Sequence, residues 1–150
     1  MTKIGEGGLY QLAAARIALQ RTRSNEVRDF ANMIVRDHGR GLERLKAGIA
    51  SDGSALILPA GPNERQRAGV AALREVPNFD SMYLQQQRRS QEESLGDLRR
   101  FASRGEGKAL RAFAAETAAI VNAHRDALRK IEVAAGNDGR TDRPGAAVPD

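Results

Sequence analysis

Two side chains in this sequence stand apart for the chemistry they could do: His38 and His124, the only histidines in 150 residues. Imidazole titrates near neutral pH, donates or accepts a hydrogen bond, and ligates Zn, Cu, Fe or Ni. Each histidine falls on an apolar stripe. Val27, Phe30, Ala31, Ile34, Leu42, Leu45 and Ile49 recur at steps of three and four around His38. Leu110, Phe113, Ala114, Thr117, Val121, Leu128 and Ile131 do the same around His124. A histidine on a buried stripe needs a polar partner inside the core. Gln11, Gln87 and Gln91 are the candidates, with Asp37 next to His38 in sequence. A helical rise of ~1.5 Å per residue puts Gln11 and His38 at about the same height, roughly 20 Å from the turn near Ser24. The same count sets His124 nearest Gln87, with Gln91 about one turn away. A polar layer of Gln11, His38, Gln87 or Gln91, and His124 at mid-height is the expectation.

Such a layer has two chemical readings. In the first, imidazoles and amides satisfy one another or hold water, and no cofactor is bound. In the second, His38 and His124 hold a single Zn, Cu or Fe ion, with Asp37, Gln11 and Gln91 as further candidate ligands. Asp37 points about 100° away from His38 on a helix, which weighs against it as a ligand in the same site. A di-iron carboxylate centre wants Glu-x-x-His on two helices. No such motif occurs, and positions 35 and 121, where its Glu would stand, are both Val. A haem held by both histidines would have few aromatic side chains to pack on. Glu92 and Glu93 read as solvated rather than catalytic. There is no Gly-rich phosphate loop, no Gly-x-Ser-x-Gly and no His-Glu-x-x-His, so a non-enzymatic protein is expected.

Long helices must carry these groups. The stretch from Ser24 to Asp52 reads as one amphipathic helix, with Ser24 as N-cap, Glu26 in the first turn and Gly53 just past the end. An Ala-rich helix from Leu9 to Thr22 precedes it, and so short a break implies an antiparallel hairpin. Residues 53–78 form a crossover holding an apolar loop, Ala55 to Pro59, and a short helix, Glu64 to Arg74, opened by an Asn63/Gln66 capping box. A third long helix is expected from Asn78 or Asp80 to about Ser103, with Tyr83, Gln87, Ser94, Leu98 and Phe101 inward. A fourth runs from Lys108 to Ala135. The result is an all-α fold of four long helices in one domain, residues 1–135, with a short extra helix in the crossover between the second and third. The tail, residues 136–150, has too little apolar content to fold. The apolar loop is expected to cap one end of the core, the alternative being a docking surface for a partner or a second copy.

Composition narrows the partners. Arginines make up most of the +5 charge but alternate with Asp and Glu along every helix, unlike a nucleic-acid stripe. Absence of cysteine removes disulfide and thiolate chemistry. No apolar run approaches the ~20 residues that span a bilayer. Met1 leads straight into TKIGEGG with no apolar signal core, so either the protein is cytoplasmic or a leader has been removed.

Three strings in order carry a resemblance: EVRDFANMIVRDHGRGLERL, FDSMYLQQQ and LRAFAAETAAIVNAHRDAL. Phe-Ala-x-x-Met-x-x-x-Asp-His ends at His38, Phe-Asp-x-x-Tyr ends at Tyr83, and a final histidine stands at 124. Over roughly Glu6 to Ile131 the chain resembles a bacterial ferritin-like domain-of-unknown-function family. The resemblance implies a ferritin-like four-helix bundle, commonly exported to the periplasm or envelope, with no agreed activity. It also implies a Glu where this chain has Gln11 and a His where it has Gln91. Those departures take a carboxylate and an imidazole from the centre. The expectation is an envelope or stress-associated binding or structural module with a degenerate metal site.

Overall fold

The computed structural model describes the backbone of residues 1–141 and the side chains of residues 1–134. Five helices account for nearly all of it: α1 (Thr2–Arg21), α2 (Asn25–Ser51), α3 (Glu64–Glu75), α4 (Phe79–Arg104) and α5 (Lys108–Thr141). Among the described residues there is no strand, so the fold class is all-α. α5 continues through Gly136 to Thr141, while the rest of the expected tail, residues 142–150, lies outside the described residues.

α1 begins one and a half to two turns before the expected start at Leu9. Gly5, Gly7 and Gly8 disfavour a helix locally, but packing overrides propensity here. A methyl on Gly5 would stand 3.0 Å from the Pro59 ring, so the crossover loop presses on α1 where only glycine fits. α2 follows the sequence reading closely. The Ser24 hydroxyl accepts from the Val27 amide at 3.1 Å and donates to Glu26 at 2.7 Å, satisfying an amide that the helix leaves free. α3 opens on the reciprocal Asn63/Gln66 capping box and ends before Pro77.

Side chains tie the helix ends to one another. Arg21, at the end of α1, donates to the carbonyls of Leu73 (2.6 Å) and Val76 (2.9 Å) and lies 5.1 Å over the Phe79 ring. One guanidinium thereby closes the end of α3 and anchors the start of α4. At the opposite end Asp52, just past α2, accepts from the backbone amides of Ala109 (2.9 Å) and Leu110 (2.8 Å) and so caps α5. Those amide bonds hold its carboxyl below the usual range. Gly107, at φ +84°, supports this clamp, because a Cβ there would collide with the Asp52 carboxylate.

The four long helices pack in a ring, α1 on α2, α2 on α5, α5 on α4 and α4 on α1, while α3 lies against α1 and α4. Gly7 lies by Ser94, Gln11 by Ser90 and Arg21 by Phe79, so α1 and α4 are antiparallel. Gly48 meets Leu110 and His38 meets His124, which makes α2 and α5 antiparallel too. With α1 and α2 joined as a hairpin, α2 and α4 run the same way, as the long crossover requires.

Apolar side chains fall into two halves. One, near the α1–α2 turn, gathers Ile17, Phe30, Ile34, Leu73, Tyr83 and Leu128. The other holds Leu45, Leu95, Leu98, Leu110, Phe113 and Val121 in two adjoining clusters. Each such side chain contributes about 1.5–3 kcal/mol when fully buried. Along α4 the passage from Tyr83 to Leu95 crosses Gln87 and Gln91, and along α5 the passage from Leu128 to Val121 crosses His124. All three polar side chains are enclosed. A polar tier therefore divides the core.

The loop expected to cap the core does so only in part. Leu58 joins the second half and Pro59 packs on Gly5, but Leu56 is 38% and Ile57 87% exposed. With Pro59 held against α1 and Leu58 turned inward, the preceding residues Ala55, Leu56 and Ile57 are left facing solvent.

Candidate functional site

The polar tier draws on all four long helices. Gln11 (α1), Gln87 and Gln91 (α4) and His124 (α5) are buried, and His38 (α2) is partly so. The rings of His38 and His124 lie 5.4 Å apart between centroids, tilted by 42°. Phe30 meets the His124 ring edge-on at 6.5 Å, which fixes the imidazole from the apolar side.

Helical phase decides which groups meet. Asp37, which helical geometry sets about 100° away from His38, reaches across to His124, whose Nε2 lies 3.0 Å from Oδ2. The other carboxylate oxygen takes Arg36 Nε at 2.9 Å. Two consecutive residues of α2 thus flank one imidazole, His38 by ring contact and Asp37 by hydrogen bond. Gln11 makes no hydrogen bond to His38. Its amide donates to Ser90 Oγ at 2.8 Å, and α1 presents Gly8 to His38 instead, where a methyl would lie 3.9 Å from Nδ1. The height count was off by about one turn, because it took the two helices to diverge symmetrically from Ser24.

Most of these groups do not satisfy each other. Both amide atoms of Gln87 and of Gln91, Gln11 Oε1, His38 Nε2, His124 Nδ1, Thr117 Oγ1 and Tyr83 Oη are buried without a hydrogen-bond partner from the protein. Among the described residues, imidazoles and amides alone therefore do not satisfy this layer, which was expected to close on itself or to hold water. An enclosed polar atom left without a partner costs about 1–3 kcal/mol, so these groups call for a guest that can hydrogen-bond with them.

Electrostatics keeps both imidazoles neutral at pH 7. Burial pushes His38 down to about 3, helped by His124 and opposed by Asp37. Burial also lowers His124, against the hydrogen bond and charge of Asp37. For Asp37 burial pulls upward, but the hydrogen bonds from Arg36 and His124 and the Arg36 charge prevail and leave it below the ordinary range. A neutral His124 donates Nε2–H to the Asp37 carboxylate, so Nδ1 keeps its lone pair and acts as an acceptor.

A cavity of about 630 Å³ adjoins this cluster, with Asp37, His38 and His124 along one wall. Ile4, Leu42, Leu45, Leu98, Phe113 and Val121 supply an apolar part. Arg65 from α3 and Glu93 from α4 join across another wall, with one guanidinium nitrogen 2.7 and 2.8 Å from the two carboxylate oxygens. Ser90, Ser94 and Thr117 add hydroxyls, and Gly7, Gly8, Gly41 and Gly96 leave gaps where side chains would stand. The sequence reading singled out none of these glycines as part of a site. For one of them a signal was present, since Gly41 sits inside a strongly periodic helix where alanine would be preferred.

A di-iron centre does not fit these residues. Among the described residues no three His, Cys, Asp or Glu side chains gather as a metal site would require. Val35 and Val121 offer no carboxylates, and Gln11 and Gln91 contribute amides. No described helix is long and apolar enough to cross a membrane.

No curated protein and no solved structure matches the chain. A family of domains of unknown function, DUF4142, matches residues 1–131, from the first turn of α1 to beyond His124. On that coverage the chain belongs to the DUF4142 family.

Proposed function

We propose that this protein is a ferritin-like four-helix bundle working as a non-enzymatic binding module, with its central metal site degenerate and metal-free. The helix directions and the crossover containing α3 support the ferritin-like reading. The observation that carries the functional reading is a roomy cavity whose wall includes buried polar atoms with no protein partner. Groups that weaken a fold and border a cavity are characteristic of sites kept for a ligand. Catalysis is not part of the proposal. His124 has an orienting carboxylate in Asp37, but among the described residues no hydroxyl or thiol nucleophile is hydrogen-bonded to either imidazole.

Titration with Zn, Cu and Fe, followed by elemental analysis, tests the metal-free centre. The expected result is no tight stoichiometric uptake. A metal-handling role is the second reading, favoured by the 5.4 Å ring separation and by a carboxylate behind one histidine. Uptake of one ion per chain, lost in both His38→Ala and His124→Ala, would establish that role and overturn the first. Placement in the cell envelope and a stress-associated role belong to the same proposal and rest on the family resemblance. An export signal encoded upstream of Met1 would support the envelope, and a cytoplasmic fraction holding all the protein would refute it.

A further inference from the structure

We infer that the cavity is a binding site for a small organic cation, a protonated amine joined to an apolar body. The inference rests on the binding-module reading and names its ligand class.

Glycines in the wall are the first observation. Gly7, Gly8, Gly41 and Gly96 lie inside helices α1, α2 and α4 and line the cavity. Glycine is a poor helix residue, and packing does not require it here. A methyl on Gly41 or Gly96 would meet nothing within 4 Å, and on Gly7 or Gly8 the nearest atoms would be at an ordinary 3.5 Å. Gly5 and Gly48 differ, pressed to 3.0 Å by Pro59 and 3.2 Å by Leu110. The lining glycines keep the cavity wide and expose backbone to whatever enters.

Unpartnered acceptors are the second. His124 is 1% exposed and borders the cavity with Nδ1 unpaired, its other nitrogen committed to Asp37. His38 Nε2 is likewise buried without a protein partner, and the Asp37 carboxylate, engaged by Arg36 and His124, is on the same wall. The His124 Nδ1 lone pair calls for a ligand that donates a hydrogen bond, and the neighbouring carboxylate favours a charged donor.

Charge supplies the third. Glu6, Asp37, Glu92, Glu93 and Asp97 line the cavity against Lys3, Arg65 and Arg100; Glu93 pairs with Arg65, Asp97 with Arg100 and Asp37 with Arg36 behind the wall, which leaves Glu6 and Glu92 against Lys3. The excess is negative, so a cation is favoured over an anion. Leu42, Leu45, Leu98 and Phe113 then cover an apolar body. A bare metal ion would leave most of the volume unfilled and would find no three-ligand group among the described residues.

Three probes with one tail test this on the full chain: hexylamine, hexanol and hexanoate, followed by calorimetry and amide NMR. Hexylamine should bind once per chain at least tenfold more tightly than either of the others, shifting the amides of Gly41 and Thr117. Gly8→Ala should raise the melting temperature yet weaken hexylamine at least tenfold. Asp37→Asn should bring hexylamine down to the affinity of hexanol. Equal binding of amine and alcohol, both weakened by Gly8→Ala, would overturn the cation assignment and leave the binding-module reading standing. Preference for hexanoate, binding indifferent to both substitutions, or no binding of any probe would overturn the inference. The last of these, combined with stoichiometric zinc uptake, would overturn the reading beneath it as well.

Discussion

Replacing Gln87 by methionine should make this protein more stable, an unusual outcome for a fully buried position. The Gln87 side chain is 0% exposed, and neither its oxygen nor its nitrogen has a protein partner. Methionine keeps the unbranched shape and length, so neither a cavity nor overpacking is introduced. Removing one unsatisfied amide group recovers about 1–3 kcal/mol. For a domain of this size 1 kcal/mol moves Tm by roughly 2–4 °C, so an increase of about 4–8 °C is expected for a gain near 2 kcal/mol. Gln91→Met should do the same, since Gln91 is equally enclosed and unpartnered. Thermal and urea unfolding followed by circular dichroism at 222 nm measures both. A fall in Tm of more than about 2 °C in both variants, on this same scale, would show that the amides are well satisfied in the free protein. The claim that the tier is kept at the expense of stability would then be refuted.

Acid should destabilise the fold early. His38 and His124 titrate lower in the folded protein than in the unfolded chain, so the unfolded state takes up protons first as pH falls below about 6.5. Stability should be intact above that pH and decline toward pH 3, where His38 itself titrates, with Asp37 adding to the loss at the acid end. The decline is bounded by about 1.4 kcal/mol per pH unit for each histidine; a His38→Leu variant with an unchanged profile between pH 6.5 and 4 would contradict it. Asp37→Asn should lower stability by about 1–2 kcal/mol, through loss of a charge-assisted bond to a buried imidazole, as read from urea unfolding. Asp52→Ala should lower Tm by a few degrees and speed amide exchange at Ala109 and Leu110, the two amides that the carboxylate holds. Unchanged exchange at those sites would mean that α5 is capped by other means.

Legibility from sequence tracked how local the determining force was. The start of α2 and the box opening α3 are written in residues three apart, and both form as their side chains dictate. The first helix was expected only from Leu9, because nothing in the sequence near Gly5 reveals Pro59 pressing on it. The polar tier was visible from periodicity, since amides and imidazoles fall on stripes otherwise apolar. Its pairing was not. A slip of one turn moved Gln11 from His38 to Ser90, and Asp37 reached His124 from a phase that appeared wrong for the site. The apolar loop divided between core, at Leu58 and Pro59, and solvent, at Leu56 and Ile57, according to where Pro59 is held, a tertiary fact. The cavity was least legible of all, because a wall made by missing side chains leaves little in a sequence to notice.

The tier that divides the core also works as a vernier on the bundle. Leucine, isoleucine and alanine stripes tolerate sliding, since one turn of displacement exchanges one aliphatic contact for another. If α4 slid by a turn against its neighbours, one of its two central amides would enter an aliphatic layer, and Tyr83 or Leu95 would move in among imidazoles. Each misplacement would take an amide away from the polar groups of the tier and the guest or water it can share with them, a cost that aliphatic stripes lack, so the tier biases the helices toward one alignment.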